Sequence, residues 1–311
     1  MTLIYASSAN NAGIKKYDTT TGTVTTVIGT GSYARMVVDE ESGTVYATNG
    51  SAGKIIRITN NGIVSDLATG QDQCYAITMD QKNKNVFWGM YKNSSPYGRV
   101  NKWDGSSVST IVSGWLGGFG DLEINPVTGN LQTMASFSEM GSYFSVEFNE
   151  YTQSGTSVWG NASPGTTYVG ATIHPGGDFI QAGMDRGPGS IVKVTSGAFT
   201  AESTVSPGRL ADFAIHDDGT RYVLRHNSST LYLDRVAPSP SSLASHSHSG
   251  DPSNCNMLIE SGDVYWTDYT GGNLKRWSSG TVTNVITGFS GITGIAKFAS
   301  QNKSAGFFNF F

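Results

Sequence analysis

The sequence predicts an all-β protein: a seven-bladed β-propeller with four antiparallel strands per blade, its first blade closed by the C-terminal strand. Three observations predict it. The composition suits short strands and tight turns, a unit of forty-odd residues recurs, and the two chain ends supply complementary parts of one unit. Of 311 residues 39 are Gly, and 14% are charged, well under the usual quarter. Few segments combine Ala, Leu, Glu and Lys, so helices are not expected.

The recurring unit is clearest as a strand, a turn and a second strand. It runs LIYASSANNAGIKKYD from Leu3, TVYATNGSAGKIIRIT from Thr44, and NVFWGMYKNSSPYGRVNKWD from Asn85. It continues as NLQTMASFSEMGSYFSVEFN from Asn130, DFIQAGMDRGPGSIVKVT from Asp178, TRYVLRHNSSTLYLDRV from Thr220 and DVYWTDYTGGNLKRWS from Asp263. With Tyr5, Tyr46, Phe87, Gln132, Ile180, Tyr222 and Tyr265 equivalent, the steps are 41, 41, 45, 48, 42 and 43 residues. The second unit shows four strand candidates, ARMVVDE, TVYATN, KIIRIT and IVSDLAT. The third shows CYAITMD, NVFWGMY, GRVNKWD and VSTIVSG. Four short strands per period of this length mark a propeller blade.

The first unit opens on its second strand, and the chain closes on GITGIAKFA, residues 291–299, which has the pattern of a first strand. Pairing the two completes the first blade and removes free sheet edges. Residues 1–299 are thus expected to form one propeller, and residues 300–311 a separate aromatic tail.

The last unit carries Tyr265, Trp266, Thr267 and Asp268, followed by Leu274, Lys275 and Arg276. It resembles the YWTD repeat of low-density-lipoprotein-receptor-type propellers, and the array as a whole is similar to YWTD and NHL-type repeats. The other units read YASS, YATN, FWGM, QTMA, IQAG and YVLR at the tetrad position. The resemblance implies architecture, not a receptor's ligand sites.

Several classes are disfavoured. The net charge is −4 and no Lys/Arg run occurs, so nucleic acid is not an expected partner. No apolar run reaches membrane-spanning length, and MTLIYASSANN lacks the basic start and apolar core of a signal peptide. Cys74 and Cys255 fall at equivalent positions in blades across the ring, which predicts two unpaired thiols. Nucleophile-elbow, phosphate-loop, H-E-x-x-H and EF-hand patterns are missing, so no catalytic residue and no metal ligand set is assigned.

Candidate binding residues come from aligning the first strands. At their axial starts stand Arg35, Ala76, Asp121, Gly170, Asp212, Asn256 and Gly294, with Tyr33, Tyr75, Trp115, Phe119, Tyr168 and Arg209 in the loops around them. Arg35, Tyr75, Trp115, Asp121, Tyr168, Arg209, Asp212 and Asn256 form the expected ligand-binding set, since rings with a few polar groups in a concave mouth suit a sugar or peptide. The alternative is that Arg35 pairs with Asp121 or Asp212 while the rings pack between blades. Asp121, Asp212 and Asn256 would also imitate the calcium ligands of lactonase-type propellers. No cofactor is otherwise expected.

At the far ends of the same strands, Asp39, Asp80, Asn125, His174, His216 and Glu260 read as turn formers. His246 and His248 alternate on an outer strand expected to be solvated, without a third metal ligand, and His226 has no evident partner. Phe307, Phe308, Phe310 and Phe311 end the chain, and such rings are costly to leave in water. They are expected to dock on a protein partner or a neighbouring copy. The function expected is a non-catalytic binding or structural module of an extracellular, cell-surface or virion-type assembly. The alternatives are a carbohydrate-binding propeller and a metal-dependent propeller hydrolase or lyase.

Overall fold

Runs of β-branched and aromatic residues broken by Gly, Asn and Asp give short strands and little else. A computed structural model describes residues 1–71, 73–90, 98–115, 118–138, 144–163, 167–173, 179–184, 189–195, 198–205, 209–216, 218–237, 239–249 and 255–299. Within these, the side chains of Tyr75, Trp115, 135–138, 144–146, 161–209, Ala237 and Ala299 lie outside the description.

Chain order gives β1 (Thr2–Ser8), β2 (Ile14–Asp18) and β3 (Val24–Ile28). Then come β4 (Met36–Val38), β5 (Val45–Asn49), β6 (Lys54–Ile58) and β7 (Val64–Thr69), followed by β8 (Cys74–Met79), β9 (Val86–Met90), β10 (Gly98–Trp103) and β11 (Val108–Trp115). The next are β12 (Gly118–Ile124), β13 (Leu131–Ser138), β14 (Phe144–Tyr151) and β15 (Ser157–Ser163), then β16 (Thr167–Ile173), β17 (Phe179–Met184), β18 (Gly189–Thr195) and β19 (Ala198–Val205). The last are β20 (Arg209–Ile215), β21 (Arg221–Asn227), β22 (Thr230–Ala237) and β23 (Ser241–Ser247), β24 (Met257–Glu260), β25 (Asp263–Asp268), β26 (Asn273–Ser278) and β27 (Thr281–Ile286), and finally β28 (Ile292–Ala299). Each group of four from β4 to β27 is one antiparallel sheet in chain order. The first sheet runs β28-β1-β2-β3, with Thr2 opposite Ala299 and Ser7 opposite Gly294.

The strands β28, β4, β8, β12, β16, β20 and β24 touch one another in that cyclic order. The sheets are therefore blades about an axis, which each blade meets with its first strand. The second strand of a blade is sandwiched between neighbouring blades, and its sequence shows it. β1 is buried throughout, and so is β9. The fourth strands are mostly exposed, as in β3 and β27.

Each buried cluster straddles two blades. Tyr265 packs with Ile4 and Tyr17 of the first sheet, while Trp266, on the opposite face of β25, packs with Phe213 and Leu231. Phe87 packs with Phe119 across the next boundary but one from β4. Gly89 lies at that boundary: a Cβ there would sit 2.5 Å from Cβ of Phe119, closer than real side chains approach.

The turns after the first strands obey one rule. Oδ1 of Asp39, Asp80 and Asn125 accepts the backbone N–H of Glu41, Lys82 and Val127, at 3.1, 2.9 and 2.9 Å. Nδ1 of His216 accepts the N–H of Asp218 at 3.4 Å. These are the expected turn formers; Glu260 differs in binding Thr2 Oγ1 (2.8 Å) and Lys297 Nζ (3.1 Å) of the first sheet. His174 lies outside the described residues. Neither Cys74 nor Cys255 forms a disulfide, and both are buried.

Gly89→Ala is expected to lower stability by about 1–3 kcal/mol through overpacking, and Gly29→Ala, which meets nothing within 4 Å, to change it little. Urea unfolding of both variants checks this, and equal effects would contradict the close approach at Phe119.

Candidate axial binding site

Bulges aim the inner strands at the axis. Register shifts fall between Cys74 and Ala76, Phe119 and Asp121, Tyr168 and Gly170, and Leu210 and Asp212. A fifth lies opposite Ser7 and Ser8, so that Gly294 follows it in β28. A bulge turns the residue after it, and its recurrence puts Ala76, Asp121, Gly170, Asp212 and Gly294 at one level. Arg35 and Asn256 join them by another device. The Arg35 N–H donates to Thr48 Oγ1 (3.1 Å) and the Asn256 N–H to Thr267 Oγ1 (2.8 Å), the two threonines being equivalent residues of β5 and β25. At Gly294 a Cβ would strike Ser7 Oγ and come within 3.0 Å of the Ala34 carbonyl, so only Gly fits there.

These side chains line an axial cavity of about 550 Å³. Its wall follows β20 from Asp212 to His216 and continues from Asn256 through β24 to Ser261. Arg35, just before β4, and Asp121 and Glu123 of β12 face it from the other side, and the paired Lys297 and Glu260 also line it.

The cavity gathers carboxyls that burial keeps from ionising freely. Asp212 Oδ2 accepts the Met257 N–H at 2.7 Å and Oδ1 the Phe213 N–H at 2.9 Å, which ties β20 to β24. Burial nevertheless pushes its carboxyl up to about 7; Arg35 and the two N–H donors oppose the rise, and Asp121 adds to it. Glu123 is held well above the usual carboxylate range, first by burial, then by Asp121 and Asp212, with Arg35 opposing. Arg35 makes no ion pair among the described residues, so the expected pairing with Asp121 or Asp212 is not found. The guanidinium acts on the carboxyls of Asp212 and Glu123 through space.

Arg35, Asp121, Asp212 and Asn256 line the same cavity. Asn256 Nδ2 donates to the Thr293 carbonyl at 2.6 Å, which fixes its amide. Tyr33 and Phe119 are not mouth residues: both are buried in clusters between blades. The backbones of Tyr75, Trp115, Tyr168 and Arg209 belong to β8, β11, β16 and β20, and their side chains lie outside the described residues, as do Phe307, Phe308, Phe310 and Phe311. Glu123 escaped sequence reading, although it stands two residues after Asp121 and so shares its strand face. Asp121, Glu123 and Asp212 do not converge tightly: among the described residues, three His, Cys, Asp or Glu donors lie within 4.8 Å of one another only at His246, His248 and Asp268.

Two histidine expectations are overturned. The His248 side chain is 0% exposed and that of His246 17%, because the loop after β23 tucks under the neighbouring blade instead of into solvent. His226 has a partner, its Nε2 lying 3.2 Å from the His248 carbonyl.

No family model and no curated protein matches the sequence. Solved structures do match. The chain is similar to a protein of unknown function from Desulfotomaculum acetoxidans DSM 771, at 15% identity over 95% of this chain and 98% of that one, TM-score 0.70. It is similar to the WD40 β-propeller domain of Doa1, at 16% identity over 93% and 88%, TM-score 0.62. It is also similar to virginiamycin B lyase from Staphylococcus aureus, at 12% identity over 91% and 88%, TM-score 0.60. Likeness at these identities carries the architecture alone, and that architecture is the β-propeller.

Proposed function

We propose that the chain is a seven-bladed propeller that acts as a non-catalytic binding module, taking a small, polar, amine-bearing ligand into its axial cavity. The observation that carries this reading is the convergence of Asp121, Glu123, Asp212, Asn256 and Arg35 on one cavity of about 550 Å³, a volume suited to a small ligand. Asp212 and Glu123, whose carboxyls burial holds protonated, would give up a proton to the charge of an entering ammonium group, and Arg35 with Asn256 can orient a hydroxyl or carboxylate beside it. An amino sugar or a peptide N-terminus has this chemistry. The Phe-rich tail, residues 300–311, is the second half of the proposal: it docks the module on a protein partner or a neighbouring copy in a larger extracellular, cell-surface or virion-type assembly.

The same carboxyls favour one other reading. Groups that keep protons near neutral pH inside a cavity suit general acid–base catalysis, which would make the propeller a hydrolase or lyase. Turnover of a bound probe, lost in Glu123→Gln, would support it.

Titration against glucosamine and a dipeptide, with their N-acetylated forms as controls, tests the binding reading. The free amines are expected to bind and the acetylated forms not. Because Asp212 sheds its proton near pH 7, amine affinity is expected to rise severalfold between about pH 6 and pH 7.5 and to fall again as the ligand's own ammonium loses its proton at about pH 8, and Asp212→Asn to remove the rise. Binding of neither amine, or equal binding of the acetylated forms, would overturn the ligand class. Deleting residues 304–311 is expected to abolish self-association or partner capture, as measured by sedimentation velocity and pull-down; unchanged association would remove the docking role.

A further inference from the structure

The second His/Asp cluster lies away from the axial cavity, at the seam between the β20–β23 and β24–β27 blades. His246 belongs to β23 and His248 follows it two residues later, so the imidazoles leave the same side of the strand. Asp268 comes from the other blade, at the end of β25. Its Oδ1 lies 3.2 Å from His248 Nδ1 and its Oδ2 3.6 Å from His246 Nε2. All three donors lie within 4.8 Å of one another. Nitrogen and oxygen ligands of one tetrahedral zinc are about 3.4 Å apart, from bonds of about 2.0–2.1 Å.

We propose that His246, His248 and Asp268 form a three-ligand site for a zinc-class divalent cation, which takes water as its fourth ligand and ties the two blades together. Two imidazoles and a carboxylate suit zinc far better than calcium, which takes oxygen donors.

The surroundings hold these groups for a metal. The His248 N–H donates to the Ser229 carbonyl at 2.8 Å, which fixes the loop after β23. Behind the ring, His248 Nε2 faces Cys255 Sγ at 3.9 Å, so the nitrogen that does not ligate has its own neighbour, as metal-bound histidines usually do. The Gly271 N–H donates to Asp268 Oδ1 at 3.1 Å and leaves the other oxygen for a ligand bond. Hydrogen bonding alone leaves an orphan, since Nε2 of His246 is buried without a hydrogen-bond partner. A cation gives that atom a role. Access is from the His246 side, whose side chain is 17% exposed against 5% for Asp268 and 0% for His248. Lys275 is the competitor: its Nζ lies 3.6 Å from Asp268 Oδ2 and is also held by Asn284 Oδ1 at 3.0 Å.

The test uses tag-free, chelator-stripped full-length protein, titrated with Zn²⁺ by calorimetry and with Co²⁺ by visible spectroscopy. One equivalent of zinc is expected, and cobalt bands of four-coordinate intensity without thiolate charge transfer. His246→Ala and Asp268→Asn are expected to weaken zinc by more than about 100-fold, since even supporting partners of metal ligands contribute 10–100-fold. Lys275→Met is expected to tighten it severalfold, and Cys255→Ser to retain it. Substoichiometric zinc, a weak six-coordinate cobalt spectrum, or zinc bound equally by a folded His246→Ala variant would each overturn the site. If the ligand variants fail to fold, the wild-type cobalt spectrum decides. Loss of binding in Cys255→Ser with its fold intact would overturn the ligand set.

Discussion

A four-stranded sheet whose second strand is apolar on both faces cannot stand alone. That constraint organises the rest of the molecule. β1, β9 and β25 need cover on each side, and the cover comes from the adjacent blades. The fully buried Trp88 and Trp266, with Tyr265, belong to the seams between blades. Since burial of a large side chain contributes about 1.5–3 kcal/mol, a ring with one seam open would expose many such groups at once. The pairing of β28 with β1 follows from the same need, because it completes the blade on which β4 and β25 lean.

The axial site follows from the ring. Inner strands converge, and bulges in five of them, with threonine contacts at Arg35 and Asn256, turn residues towards the axis, so unlike side chains from distant parts of the chain share one cavity. The energetics of that cavity are those of crowding. Asp212 satisfies its oxygens with backbone N–H groups, yet burial and its acidic neighbours still hold the proton to about pH 7.

The repeat was legible because the second strands are its most constrained part: two buried faces leave a run such as VYATN or VFWGM little room to vary. The turns were legible because Asp39, Asp80 and Asn125 act on their own backbone within a few residues. Arg35, Asp121, Asp212 and Asn256 were legible because strand alignment places them. What failed depends on contacts between units. Tyr33 and Phe119 read as loop aromatics, but whether a ring at a blade edge faces the mouth or the seam is decided by its neighbour, here a Gly89 that leaves it room. His246 and His248 read as solvated because their third partner lies 20 residues after His248, in the next blade. Glu123 was hidden by attention to one alignment column, although the alternation of β12 places it beside Asp121.

The meeting of β1 and β28 has a mechanical consequence. The strands are antiparallel, and Thr2 faces Ala299 at the rung nearest both strand termini. Tension applied at these two residues would load that rung before any other, then Leu3 with Phe298 and Ile4 with Lys297 in turn. The seam would open as a zipper under low force, because the rungs are never stressed together in shear. A molecule held at one terminus escapes this load.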